Sequence, residues 1–285
     1  MGGRYRVVAR LAAGGMGAVY TAVQESLSRE VALKVIRTDL IDERFRRRFA
    51  VETEATRRLQ HDSIVRLLDS GILEPDDVTR HTGVPFLILE LLAGRNLHDE
   101  LQANGVMPWP RAVQVLQQIA HALEVAHQHH VVHRDLKPRN VFLVESSGDG
   151  VQAAPRVKVL DFGIAKILDD DSAGVKTTTG IVLGTPGYVP PERMRGEPDD
   201  PRSDLYALGA LAWDMVAGRG PLVAPTQILL SVKHMTERPP NLLTVADVPD
   251  DLALLVGELL EKTPARRPQS AAHVVARLAA LLSAA

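Results

Sequence analysis

The sequence predicts an α+β fold in two lobes, a small β-rich lobe followed by a larger helical one. Three observations carry this expectation. The 285 residues, 45% hydrophobic and 24% charged, are enough to bury a sizeable core in one large domain or two lobes. The first third consists of β-rich runs separated by glycines or short polar stretches. From about Ala93 the apolar residues instead recur at three- and four-residue steps. No internal repeat or low-complexity linker interrupts the chain, so the boundary is set at 1–92 and 93–285.

Taken in order, "YRVVARLA", "GAVYTAVQ" and "EVALKVIR" read as strands. "IDERFRRRFAVETEATRRLQ" (41–60) switches to helical spacing, with Phe45, Phe49 and Leu59 among charges. "IVRLLDSGIL" and "VPFLILELL" read as two further strands, the second almost continuously apolar and therefore internal to its sheet. "WPRAVQVLQQIAHALEVAHQHH" (109–130) reads as a long helix with Pro110 at an early position. Two short strands, "NVFLV" and "RVKVL", are joined by "ESSGDGVQAAP"; a Gly/Thr-rich segment (170–190) then leads into helices that run to "SAAHVVARLAALL".

Composition removes several function classes. A formal net charge of -2 offers no basic excess for nucleic acid, and the absence of cysteine excludes disulfides, thiolate zinc sites and a cysteine nucleophile. The richest apolar stretch, "LYALGALAWDMVAG" (205–218), is shorter than the roughly 18 residues of a membrane helix and carries Asp214. The start, "MGGRYRVVARL", lacks a secretory h-region, and Arg6 stands where a myristoylation motif needs Ser or Thr. The expected location is cytoplasmic, either as a separate enzyme or as the cytosolic domain of a larger membrane receptor.

Four stretches carry chemistry. In "LAAGGMGAVY" (11–20), Gly14, Gly15 and Gly17 let backbone approach phosphates, although for a short glycine cluster taken alone a plain hairpin turn is the stronger reading. "AVYTAV" after them is a strand, which favours a β-hairpin lid over a dinucleotide-binding turn. "VALK" ends in Lys34 amid apolar residues; it either snorkels to water or is paired, with Glu52 and Glu54 as rival partners. "VVHRDLKPRNVFLV" (131–144) gathers His133, Arg134, Asp135 and Lys137 between apolar runs, with Asn140 five residues after Asp135. Asp161 follows in "LDFG". Two acids and an Asn near phosphates suit Mg²⁺, which prefers hard oxygen ligands, and one acid is then free to accept a hydroxyl proton. "HQHHVVH" invites a metal reading because His129 and His133 are four apart, but the stretch leaves its helix before His133.

Taken together in this order, with the "PPE" segment further on, these motifs resemble the eukaryotic-type Ser/Thr protein kinase catalytic domain in its bacterial branch, over roughly residues 4 to 280. The resemblance implies a bilobal kinase fold with one regulatory helix in the β-rich lobe, ATP and Mg²⁺ as cofactors, and Ser/Thr hydroxyls of proteins as acceptors. It implies that Leu11, Gly14, Gly15, Gly17 and Val19 cover ATP, that Ala32 lines the adenine pocket, and that Lys34 holds the α- and β-phosphates and pairs with Glu52. Leu89 would be the gatekeeper, and backbone groups of Glu90 and Leu92 would bind adenine. Asp135 would be the catalytic base and Lys137 would steady the transferred phosphoryl, while Asn140 and Asp161 would hold Mg²⁺.

Other implied roles lie outside the chemistry. Glu192 would pair with Arg267, and Asp204 would brace the catalytic loop. Arg134 before the base, with Thr177 and Thr179 before Thr185, implies self-activation by loop phosphorylation, and a homodimer for trans-autophosphorylation stays open. The chain departs from the pattern at Ala12, where the first loop glycine usually stands, and at Pro190 of "PPE". "RFRRRF" (44–49) reads as a solvated helix face. Two alternatives remain: an ATP-binding scaffold without catalysis, and a small-molecule kinase of the aminoglycoside type. Partners are expected to be protein substrates, with no nucleic acid and no membrane segment in this chain.

Overall fold

A computed structural model describes residues 4–14, 17–36, 43–73, 83–145, 155–162, 186–198 and 200–284. The early β-rich runs form an antiparallel sheet of β1 (Tyr5–Gly14), β2 (Gly17–Gln24), β3 (Arg29–Ile36), β4 (Leu67–Leu73) and β5 (Val84–Glu90), in the order β1-β2-β3-β5-β4. The nearly continuous apolar run is internal, as its composition demands: β5 lies between β3 and β4. β4 begins later than its apolar pattern suggests, because Ile64 bridges to Val159 and the Arg66 N–H donates to the Glu90 carboxylate (2.8 Å).

Side-chain alternation gives this sheet two apolar faces. Tyr5, Ala22, Val31, Leu33, Phe86 and Ile88 cluster on one. On the other, Ile36, Leu67 and Leu87 meet Phe45 and Phe49 of helix α1 (Glu43–Arg57). These two rings, one helical turn apart, stack with centroids 6.2 Å apart. Packing divides the described chain into two units. One holds the described residues of 1–60 and 65–93; the other holds those of 61–64, 94–162 and 171–285.

After Ala93 the chain of the second unit begins with a strand where the sequence pattern suggested helices at once. β6 (Gly94–Asn96) pairs with β7 (Val141–Val144), which pairs with β8 (Arg156–Val159). Gly94 makes this possible: its φ is 136°, and a Cβ there would sit 2.1 Å from the Leu143 carbonyl oxygen. Helices α2 (Leu97–Asn104), α3 (Trp109–Gln128), α4 (Pro191–Met194) and α5 (Pro201–Ala217) follow, then α6 (Gln227–Thr236), α7 (Asp250–Leu259) and α8 (Ala271–Ser283). Among the described residues, no helix is long and apolar enough to cross a membrane.

Helix α5 is the centre of this unit. Asp200 caps it, accepting from the Arg202 N–H (2.8 Å), and Pro201 occupies its first turn. From Ser203 to Val216 every residue but Asp214 is buried, the pattern of a helix surrounded on all sides. α3 and α7 pack against it, and α8 packs on α3. α6 is unusual: it buries only Ser231 and His234 and leaves Ile228, Leu229 and Val232 exposed. Its anchor is polar. The Tyr206 hydroxyl of α5 donates to His234 Nδ1 (2.7 Å) and accepts from Lys262 Nζ (3.0 Å). Burial, reinforced by the Lys262 charge, pushes His234 down to about 4, so its ring is neutral and free to accept.

The end of α4 is tied down by a buried ion pair. Arg267 Nη1 and Nη2 each donate to a Glu192 carboxylate oxygen at 2.7 Å, and Ser203 Oγ donates to the same group (2.7 Å). Burial alone would raise the Glu192 carboxyl, but the hydrogen bonds and charge of Arg267, with Ser203, hold it below its usual value. Its contribution to stability is therefore full above the unfolded-state carboxylate range of about 4 and is lost as pH falls through the lower folded value. Glu192→Gln is expected to lower the unfolding free energy by about 3 kcal/mol at neutral pH, measured by urea titration. The gap between the two proteins is expected to narrow as pH falls below about 4.

Candidate active site

Residues Val131–Lys137 leave α3 without regular structure, so their backbone polar groups need partners other than a helix or sheet. Asp204, in the first turn of α5, supplies them. Its carboxylate, 1% exposed, accepts from the N–H groups of His133 (2.8 Å) and Arg134 (2.9 Å). His127 Nε2 donates to the same carboxylate at 2.8 Å from the last turn of α3. Burial alone would raise the Asp204 carboxyl; the hydrogen bond and electrostatic attraction of His127, with the backbone donor of His133, outweigh it and hold the group ionised below its usual range. His127 is absent from the residues the sequence singled out. Its one signal there was membership of a run of histidines.

His133 is fully buried, and its two nitrogens have opposite roles. Nδ1 accepts from the Asp135 N–H (3.2 Å) while Nε2–H donates to the Leu160 carbonyl (2.8 Å), which fixes the neutral tautomer. Phe162 packs edge-on against the ring with centroids 4.6 Å apart. The neighbouring His129 is exposed, with its Nδ1 on the Val125 carbonyl (2.9 Å). Among the described residues no group of three or more His, Cys, Asp or Glu is arranged to hold a metal ion.

Asp135, Lys137 and Asn140 converge. Asp135 Oδ2 accepts from Lys137 Nζ (2.6 Å) and from Asn140 Nδ2 (3.1 Å), and the same amide nitrogen donates to the Asp135 carbonyl (2.7 Å). A 3-10 turn, Pro138–Asn140, sets Asn140, whose N–H donates to Lys137 O (2.9 Å) and whose carbonyl accepts from the Leu160 N–H (2.8 Å). Asn140 thereby spends its NH₂ on Asp135, leaving its side-chain oxygen as the ligand atom it has to offer. Asp161 follows Leu160 with a φ of 63°, and Arg134 has a φ of 70°. Left-handed backbone at a residue with a Cβ costs about 1–3 kcal/mol and persists only where the surroundings over-determine it.

The first unit carries the other sequence-predicted residues. Lys34 on β3 is opposite Val19 on β2 and Leu87 on β5, and is only 6% exposed. It alternates with Ala32 and Ile36 on the sheet face that receives Phe45 and Phe49 of α1. Glu52, also 6% exposed, continues the helix face of those two phenylalanines at i+7 and i+3. Lys34 and Glu52 therefore belong to the interior shared by sheet and helix, where a lysine is sustained only by pairing. Glu54 is exposed and accepts from Arg58 (3.4 Å).

Around them, Ala32 is opposite Leu89, which packs on the α1 cluster. The Glu90 N–H donates to Arg66 O (3.1 Å), and Leu92 is half-buried just past β5. Leu11 is exposed on β1, and Ala12 pairs with Val19. Gly14 faces Gly17 at the tip of the β1–β2 hairpin. Gly17 has a φ of 152°, and a Cβ there would lie 1.9 Å from the Val35 carbonyl oxygen, so no other residue fits without moving β3. Gly15, Thr177, Thr179 and Thr185 lie outside the described residues.

Removing the His127 donor leaves a buried carboxylate short of a partner. His127→Ala is expected to cost about 2 kcal/mol in urea unfolding and to speed hydrogen exchange at the amides of His133 and Arg134 more than in the body of α3.

The geometry agrees with comparisons to known proteins. The protein kinase domain family model matches residues 5–277. A serine/threonine-protein kinase of Myxococcus xanthus, pkn2, is 40% identical over 290 residues, covering 99% of this chain and 33% of its own length. A probable serine/threonine-protein kinase of Corynebacterium efficiens is 36% identical over 281 residues, covering 96% of this chain and 41% of its own. The chain thus spans less than half the length of these two relatives. Among solved structures, a double mutant of the PknI kinase domain from Mycobacterium tuberculosis superposes with a TM-score of 0.72 at 26% identity, covering 98% of this chain and 96% of that one. A match of this extent, carried by a loop built around Asp135, Lys137 and Asn140, means that the chain belongs to the protein kinase family.

Proposed function

We propose that this domain transfers the γ-phosphoryl group of ATP to Ser or Thr hydroxyls of proteins and activates itself by phosphorylating its own loop. The observation that carries the reading is the Asp135 carboxylate, held on Oδ2 by Lys137 and Asn140 beside the fixed ring of His133. The acceptor hydroxyl oxygen would bond to the γ-phosphorus as the bond from that phosphorus to the β–γ bridging oxygen breaks and ADP departs. The hydroxyl proton would pass to Asp135, with Oδ1 facing the acceptor while Oδ2 keeps its two donors. Lys137 would follow the charge of the transferred group from its place beside that carboxylate.

The donor set suits a hard cation: the Asn140 side-chain oxygen and the Asp161 carboxylate would hold Mg²⁺. When bound there, Mg²⁺ neutralises charge on the phosphates. Lys34, kept by Glu52, would hold the α- and β-phosphates, and Gly14, Gly15 and Gly17 would bring backbone N–H groups over them. Leu11, Val19, Ala32 and Leu89 would enclose the adenine, whose edge would meet backbone groups of Glu90 and Leu92. Thr177 and Thr179 would be the self-phosphorylated residues, with Arg134 as a partner for the new charge. ATP as donor puts the reaction on the cytosolic side.

The test is intact mass after incubation with Mg-ATP, beside an Asp135→Asn variant. Steps of about 80 Da are expected in the unmutated protein alone, mapping to Thr177 or Thr179. No added mass in either protein, with an ATP-dependent thermal shift in both, would replace the enzyme by an ATP-binding scaffold.

A further inference from the structure

We infer that Arg193 is a positioning residue for phosphoryl transfer: its guanidinium holds the Arg134 carbonyl and so sets the peptide that carries Asp135. The inference rests on Asp135 being the base. Arg193 Nη1 donates to the Arg134 backbone oxygen. The other groups of the same stretch are held as well. The Arg134 N–H donates to Asp204 Oδ1 (2.9 Å), and the Asp135 N–H donates to His133 Nδ1 (3.2 Å). The two peptide groups flanking Arg134 are thus gripped by α5, by α4 and by the loop's own histidine.

This grip has a conformational purpose. Arg134 is left-handed, with a φ of 70°, and such a residue returns to ordinary backbone when its neighbouring peptides are free to turn. Rotation of the Arg134–Asp135 peptide changes the φ of Asp135 and swings its carboxylate away from Lys137 and Asn140. Its amide end is secured only by an imidazole nitrogen, whereas its carbonyl end receives a charged donor, the stronger kind of hydrogen bond. Arg193 is also mounted rigidly. The preceding residue, Glu192, is bound by Arg267 and Ser203, and the Arg195 N–H donates to the Pro191 and Glu192 carbonyls (3.1 Å each).

Position along the chain adds meaning. Arg193 comes after the Thr-bearing segment and the short turn Pro186–Tyr188, whose Tyr188 hydroxyl donates to Asp214 of α5 (2.7 Å). A change in how Pro186–Met194 is seated is therefore felt at the Arg134 carbonyl, one peptide away from the base. An unchanged scaffold would still bind ATP but would present Asp135 poorly.

The experiment compares Arg193→Ala, Arg193→Gln and Arg193→Lys with the unmutated chain and with Asp135→Asn. Initial rates of self-phosphorylation are read by intact mass across Mg-ATP concentrations at one protein concentration, with melting temperatures alongside. The Ala and Gln variants are expected to lose about tenfold in maximal rate, with the half-saturating ATP concentration and melting temperature unchanged. Lysine, which keeps a charged donor, is expected to restore part of the rate. An unchanged maximal rate would overturn the inference, as would a loss confined to half-saturating ATP or one tracking the melting temperature. If the Ala variant does not fold, a folded Lys variant no faster than the Gln variant overturns it equally. An inactive Asp135→Asn with a fully active Arg193→Gln sinks only the role of Arg193; an active Asp135→Asn sinks the assignment of the base itself.

Discussion

The catalytic loop depends on one carboxylate that never meets water. Asp204 is sealed at the start of α5, and an ion in that position costs several kcal/mol unless it is surrounded by donors. His127 and the amides of His133 and Arg134 are those donors, so the cost of burying the charge is offset only when the loop is in place. The same logic explains why α5 is buried on nearly every side. A helix with a solvent face would let water compete for the carboxylate, and the loop would lose its anchor.

A parallel constraint operates in the β-rich unit. Lys34 is a cation inside a sheet-and-helix core, and Glu52 lies on the helix face that closes this core. Phe45 and Phe49 fix the helix on the sheet by apolar burial, which has no directional preference, and the burial of Lys34 and Glu52 in the same interior restricts the helix to rotations that leave neither charge without a partner. Gly17 adds a third restriction, because the hairpin tip approaches β3 so closely that a side chain has no space there.

Much of this was legible in the sequence, for reasons that differ by residue. β1, β2, β3, β5, α1 and α3 announce themselves through period and apolar content, because each buries a definite face. β6 does not. "GRN" reads as a turn, and its strand character comes from pairing with Phe142, Leu143 and Val144, far along the chain. The convergence of Asp135, Lys137 and Asn140 was readable because polar and charged residues between apolar runs need a chemical reason. His127 and Arg193 were not, since each acts on a residue 77 or 59 positions away and nothing local marks it. A lone histidine in a histidine run, or a lone arginine in "PPERMR", acquires its role only when the helices close.

Helix α6 is attached by polar groups rather than by apolar burial, and its thermodynamics differ accordingly. It buries a serine and a histidine and leaves an isoleucine, a leucine and a valine in water. Of its apolar side chains only Leu230 and Met235 are half-buried, so opening it exposes less apolar surface than opening the α3–α5–α7 core, with a smaller heat-capacity change and a smaller denaturant sensitivity. Its local stability curve is flatter with temperature than that of the core. Cooling, which weakens apolar burial, therefore loosens the centre of this unit more than the attachment of α6.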